Sequence, residues 1–183
     1  MAMRIPWIKR STIVRQEEAL MAGGKMENYE EVAHFTLDPD SCEQLLNMQT
    51  ECTFIWRMRD GWPIGVIMSY VWRNGQAWMT ASSQRPRIAA VRRDDRVSMV
   101  VSSAGTSLPP RTVTIRGRCK LYDDEETKRW FYPDLARTLI PGDPARQTRF
   151  IEMLDSPRRV VMCVTPEKMI TFDSQKMRWR GGA

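Results

Sequence analysis

Between Trp78 and Val101 the chain reads WMTASSQRPRIAAVRRDDRVSMVV, and most of its chemical promise sits there. Thr80 and Ser82 put small hydroxyls at a strand end. Arg85 and Arg87 follow in a tight loop that opens a short helix. Arginine forks match phosphate oxygens, and the free N–H groups of a helix N-terminus favour an anion. The pattern points to a phosphorylated small molecule.

Other chemistry is poorly served. The chain has one histidine, His34, and four cysteines, Cys42, Cys52, Cys119 and Cys163, none at CxxC spacing. That excludes the usual protein-built zinc site, and the cysteines read as buried free thiols. There is no GxSxG elbow for a serine nucleophile. No residue stands out as a general acid; Tyr70, Tyr132 and Ser69 carry hydroxyls that could serve. If the chain is an enzyme, a bound cofactor does the chemistry.

With 183 residues, 42% hydrophobic and 27% charged, the composition suits one soluble domain with extensions. No apolar run reaches the roughly 20 residues of a membrane span. The N-terminus lacks an apolar signal region, so the expectation is a cytoplasmic protein with no membrane partner. The net charge of +6 is scattered. Arg92-Arg93 and Arg158-Arg159 are short doublets of the kind that decorate a solvated surface, which argues against nucleic acid.

The elements that must hold the loop follow from periodicity. Residues 1–27 read as a basic extension, 28–176 as the domain, and 177–183 as a flexible tail. Leu37–Met48 is a helix capped by Asp38 or Asp40. From Cys52 the period is two, with Cys52, Phe54, Trp56 and Met58 on one face. Pro63–Trp72 is apolar on both faces and reads as a central strand. Asn74-Gly75 marks a hairpin into Gln76–Thr80, with Trp72 and Trp78 expected to stack across it. Arg87–Arg93 is a short helix and Val97–Ser102 a strand. Arg111–Leu121 alternates, with Val113, Ile115, Gly117, Cys119 and Leu121 inward. A helical insertion spans about 124–156. Val160–Thr165 and Met169–Phe172 complete the strands. The class is mainly β with peripheral helices (α+β), in a closed or nearly closed antiparallel barrel.

The order of these motifs resembles the pyridoxamine 5′-phosphate oxidase-like split β-barrel proteins, over roughly residues 37 to 175. The resemblance rests on four features: the strand Pro63–Trp72, the run Trp78-Met79-Thr80-Ala81-Ser82, the Arg85/Arg87 loop, and Arg93-Asp94-Asp95-Arg96-Val97-Ser98. In the last, relatives often show Arg-Asp-Pro-Arg-Val. Val113 to Arg118 supplies the following strand. The resemblance implies a homodimeric split antiparallel β-barrel that binds FMN, or alternatively coenzyme F420, at the subunit interface. It implies an oxidoreductase that exchanges a hydride with a small organic substrate.

Carried over by position, Thr80, Ala81 and Ser82 meet the flavin's pyrimidine edge. Arg87 stands where relatives usually have a phosphate-binding lysine, with Arg85 beside it. Pro63 to Met68, including Ile64, lie along the ring, and Arg57 is a further phosphate contact. The chain departs from the pattern in Arg87 for lysine, in Pro86 between the arginines, and in Asp95 for proline. The C-terminal Trp and Arg pattern of true pyridoxamine phosphate oxidases is missing. The aromatic run Trp130-Phe131-Tyr132 exceeds one buried helical face, so Trp130 and Tyr132 are expected at a substrate pocket, with the insertion shaping access and not holding phosphate. The alternative is a non-enzymatic flavin or haem binding or storage protein, for which His34 is the one histidine ligand available.

Overall fold

Strands with a period of two, clearest in Glu51–Arg57, Gln76–Ser82 and Arg96–Ser102, commit one face to a common core. In the computed structural model, which describes residues 25–26, 30, 32–177 and 179–180, seven strands form one antiparallel sheet. The strands are β2 (Glu51–Arg57), β3 (Pro63–Ser69), β4 (Val71–Arg73), β5 (Gln76–Ser82), β6 (Arg96–Ser102), β7 (Arg111–Tyr122) and β8 (Arg159–Asp173). Their order across the sheet is β3-β2-β6-β7-β8-β5-β4. A separate two-residue pairing joins β1 (Lys25–Met26) to β9 (Trp179–Arg180), linking the two terminal segments. The rest of the N-terminal extension and the last residues of the expected flexible tail lie outside the described residues.

Pro63–Trp72 is not a central strand. Its first part, β3, is one edge of the sheet, and its last part, β4, is the other edge. Only Tyr70 separates them. A chain that leaves one edge and enters the opposite edge within one residue forces the sheet to curl into a half-barrel. Tyr70 is fully buried at this corner; its N–H donates to the Thr50 carbonyl at 2.9 Å and its hydroxyl to the Leu46 carbonyl at 2.8 Å.

The barrel core takes Phe54, Met79, Met99, Val101, Val113, Ile115 and Met162, all essentially inaccessible. Each such side chain contributes roughly 1.5–3 kcal/mol by leaving water. Helix α1 (Pro39–Met48) closes one end through Cys42, Leu45 and Leu46, and Asp38 caps it by accepting the Ser41 N–H at 2.8 Å.

The two strands expected at the C-terminal end are one. Pro166 lacks a ladder donor, and it lies opposite Gly117 at a register shift in the β7–β8 pairing, so the strand continues through it. Arg118 braces this bulge, donating to Glu167 at 2.8 Å and to Asp95 at 2.7 Å.

The outer face of the sheet is treated differently in its two halves. Over β4, β5 and the first part of β8 lie helices α3 (Glu125–Leu139) and α4 (Pro144–Leu154). Between them and the sheet is a second core of Phe131, Tyr132, Leu135, Leu154 and Val161. Arg73 ties the insertion down, bonding Asp134 at 2.6 Å and lying 4.5 Å over the Trp130 ring. The other half carries no helix among the described residues. There the register aligns Ile67, Thr53, Val100, Thr114 and Ile170 in one cross-strand row. Its ends are open: Ile67 is 64% and Ile170 54% exposed.

Candidate functional site

Strand β5 ends at Ser82, and helix α2 (Pro86–Arg93) starts after a three-residue turn. Period two puts Ala77, Met79 and Ala81 into the barrel and turns Trp78, Thr80 and Ser82 outward. Ala81 therefore offers a ligand only its backbone. The Thr80 hydroxyl donates to the Val160 carbonyl at 2.8 Å, leaving its oxygen free to accept. The turn is pinned by the Ser83 N–H on the Arg158 carbonyl at 2.6 Å and the Arg85 N–H on the Ser82 carbonyl at 3.0 Å.

Pro86 suits the first turn of α2 because it lacks the N–H that would go unpaired there. Arg85 holds the N-cap position, and its side chain makes no capping bond. The helix start is thus left electropositive, with arginines at the N-cap and at the second helical position. Arg85 points into solvent, whereas Arg87 is half-buried, and its Nε is buried with no hydrogen-bond partner. Burial, then the nearby charges of Arg85 and Arg159, lower the Arg87 pKa from its ordinary value. No acidic side chain among the described residues pairs with Arg85, Arg87 or Arg159.

Arg159 is the residue that sequence reasoning missed. It stands directly across from Ser82 on the last rung of the β5–β8 ladder. As half of the Arg158-Arg159 doublet it read as surface decoration; the cross-strand pairing that brings it to the loop leaves no local signal.

The other expected site residues lie on other elements of the chain. Arg57 bonds Asp94 at 3.4 Å, beyond the C-terminal end of α2, and its carbonyl accepts from Arg93 at 2.7 Å. Pro63 and Ile64 lie exposed on the β3 edge, while Met68 is buried in the barrel opposite Cys52. An open groove of about 320 Å³ runs between the β2–β3 turn and α2, lined by Met58, Arg59, Asp60, Pro86, Ala89 and Arg93.

A family model, that of pyridoxamine 5′-phosphate oxidase, matches residues 39–173. The chain belongs to the pyridoxamine 5′-phosphate oxidase family. No curated protein matches its sequence. Among solved structures, the conserved hypothetical protein Rv2991 from Mycobacterium tuberculosis superposes with a TM-score of 0.69 at 18% identity, over 79% of this chain and 89% of that one. A FAD-binding protein from Mesorhizobium loti gives 0.57 at 17% identity, over 74% and 94%. An F420 reductase gives 0.53 at 20% identity, over 70% and 94%. At these identities the likenesses show the split-barrel fold.

Within this family member the aromatic insertion packs more tightly than expected. Phe131 and Tyr132 are both buried, and Trp130 is half-buried, meeting Trp78 edge to face at 4.7 Å. All three find cover because the outer sheet face supplies Trp78, Tyr122 and Val161 as a second apolar surface. Trp72 and Trp78 do not stack on each other. The two-residue turn, with φ of 53° at Asn74 and 71° at Gly75, pairs Trp72 with Ala77 and Val71 with Trp78, so the two indoles face opposite sides of the sheet. Of the hydroxyls considered as acids, Tyr70 is sealed in the core, where burial pushes its pKa far up. His34 is exposed on a short 3₁₀ turn.

Proposed function

We propose that this chain is a homodimeric oxidoreductase that uses FMN, or alternatively coenzyme F420, to exchange a hydride with a small organic substrate. One observation carries the reading. At the start of α2, Arg85 and Arg87 meet a helix N-terminus with no side-chain cap and have no acidic partner among the described residues, and the buried Arg87 Nε has no partner among them either. Arginines without counter-charges fit a phosphate better than they fit the free protein. Family membership supports the same ligand class.

When bound, a flavin or deazaflavin supplies the hydride exchange. The chain's own residues bind and orient. Arg85 and Arg87 neutralise the phosphate. Thr80 and Ser82, with the Ala81 backbone, offer hydrogen-bonding groups to the ring's polar edge. Pro63 and Ile64 give an apolar edge that excludes water from it. Tyr132 and Trp130 stand over the strand that carries Thr80 and Ser82, on the insertion side.

The uncovered half of the outer sheet face supports the dimer. An uncharged row of isoleucine, valine and threonine that ends in the exposed Ile67 and Ile170 suits a second copy of this chain.

The absorbance spectrum of the purified protein, followed by reconstitution with FMN or with F420, tests the reading. An FMN-bound protein absorbs in the blue and near ultraviolet; the oxidised deazaflavin has its main visible band at shorter wavelength. A folded protein that binds neither defeats it, and a haem Soret band lost in His34→Ala favours the non-enzymatic alternative.

A further inference from the structure

Tyr132 is only 4% exposed, yet its hydroxyl has no hydrogen-bond partner. Buried hydroxyls are normally paired, so this hydroxyl has a donor that the other described residues do not use. The ring packs on Val161 in the second core. Two residues earlier on the same outward face of β8 stands Arg159, directly opposite Ser82. The insertion therefore lays Tyr132 along the line of side chains that leads to the Arg85–Arg87 loop.

The charged groups around the hydroxyl are Lys128, Arg159, Asp155 and Glu125. Lys128 is already taken by Glu125 at 2.8 Å, and Asp155 is exposed just past the end of α4. Burial raises the Tyr132 pKa, so the group is a neutral donor at physiological pH. Arg159 lies close enough to Arg87 for its charge to act there.

We propose that Arg159 and the Tyr132 hydroxyl, from two elements outside the Arg85–Arg87 loop, complete a pocket for a phosphate monoester dianion. Three guanidinium groups and a hydroxyl exceed what the two oxygens of a carboxylate use. A phosphate monoester has three terminal oxygens and close to two charges. The inference rests on the reading of Arg85 and Arg87 as phosphate ligands. It adds a third cation and gives the insertion a direct part in holding the phosphate, beyond shaping substrate access.

The test compares full-length wild type with Arg159→Gln and Tyr132→Phe by two measurements. The first is the thermal midpoint in inorganic phosphate against chloride at equal ionic strength. The second is titration with FMN and with riboflavin, which lacks the phosphate. Phosphate should raise the wild-type midpoint and raise neither variant's to the same degree. Arg159→Gln should weaken FMN binding by about tenfold and leave riboflavin unchanged. Arg159→Lys keeps the charge without the fork and should recover part of the loss. Tyr132→Phe should fold with an equal or higher midpoint in chloride, because it removes an unpaired polar atom, while losing FMN affinity severalfold. If the wild type binds no flavin but shows phosphate protection that both variants lose, the pocket stands and the flavin reading falls. Unchanged phosphate protection and FMN affinity in either variant overturns the proposal.

Discussion

Gly117 and Thr165 pack backbone to backbone: a Cβ on Gly117 would be driven into the Thr165 carbonyl and would sit 3.2 Å from the Val164 Cγ1. The contact lies at the register shift where β7 and β8 change step. Carbonyl and strand are both fixed, so the clash cannot be relieved by a rotamer change. Gly117→Ala should destabilise the fold by about 2 kcal/mol or more, as overpacking of a rigid site does. Urea denaturation measures this, and a variant with an unchanged midpoint would show that the bulge can move.

Arg87→Ala should separate binding from folding. The side chain is partly desolvated, repelled by Arg85 and Arg159, and leaves a buried Nε unpaired. Removing it deletes a buried, repelled charge, so the unfolding midpoint should fall by little compared with the loss of affinity. Loss of a charge-assisted phosphate contact should cost the cofactor about one to two orders of magnitude in affinity. Calorimetry on the folded variant decides it; an unchanged dissociation constant removes Arg87 from the site.

Local signals carried most of the frame. Asp38 and Asp124 cap the helices where an acidic residue precedes an apolar period, and Asn74-Gly75 makes the expected hairpin. The alternation from Val113 to Leu121 gives the inward set. What escaped was long-range. Apolar residues on both faces of Pro63–Trp72 suggested burial between two neighbours, yet each half has only one, because the strand is both edges of a curled sheet. Arg159 comes to the loop by a cross-strand pairing that no local pattern encodes. Tyr132 and Phe131 exceed one helical face only if the sheet beneath offers no second apolar surface, and Trp78, Tyr122 and Val161 provide one.

The thiols should be inert in the folded protein. All four cysteines are buried, and burial pushes Cys52 and Cys119 up to about 12 and Cys163 to about 11. The thiolate is the reactive form, so a disulfide reagent at pH 8 should label them only on unfolding. A thiol whose folded pKa lies above its unfolded value stabilises fully below the unfolded value. It loses that contribution as pH rises through the folded one. Stability should therefore fall from about pH 9 towards pH 12. Rapid labelling of the native protein at pH 8 would mean that the barrel opens locally.

The proposed homodimer makes the last prediction. The row Ile67, Thr53, Val100, Thr114 and Ile170 crosses five adjacent strands, a span of roughly 19 Å at the usual strand spacing. Nothing charged interrupts it, and its terminal isoleucines are 64% and 54% exposed. The insertion covers the other half of the same sheet face, so one half is finished within the chain and one is left open. A specific dimer buries about 800 Å² per partner, and an uncovered face of this kind is where that area is found. Lysine at both ends would bury two unpaired charges against the partner's matching row, because a two-fold interface presents the same patch twice. Sedimentation at micromolar concentration should give a dimer for the wild type. It should give a folded monomer for the double variant Ile67→Lys with Ile170→Lys, whose substitutions lie outside the barrel core. A double variant that stays dimeric places the interface on another face, and a wild type that sediments as a monomer removes the dimer altogether.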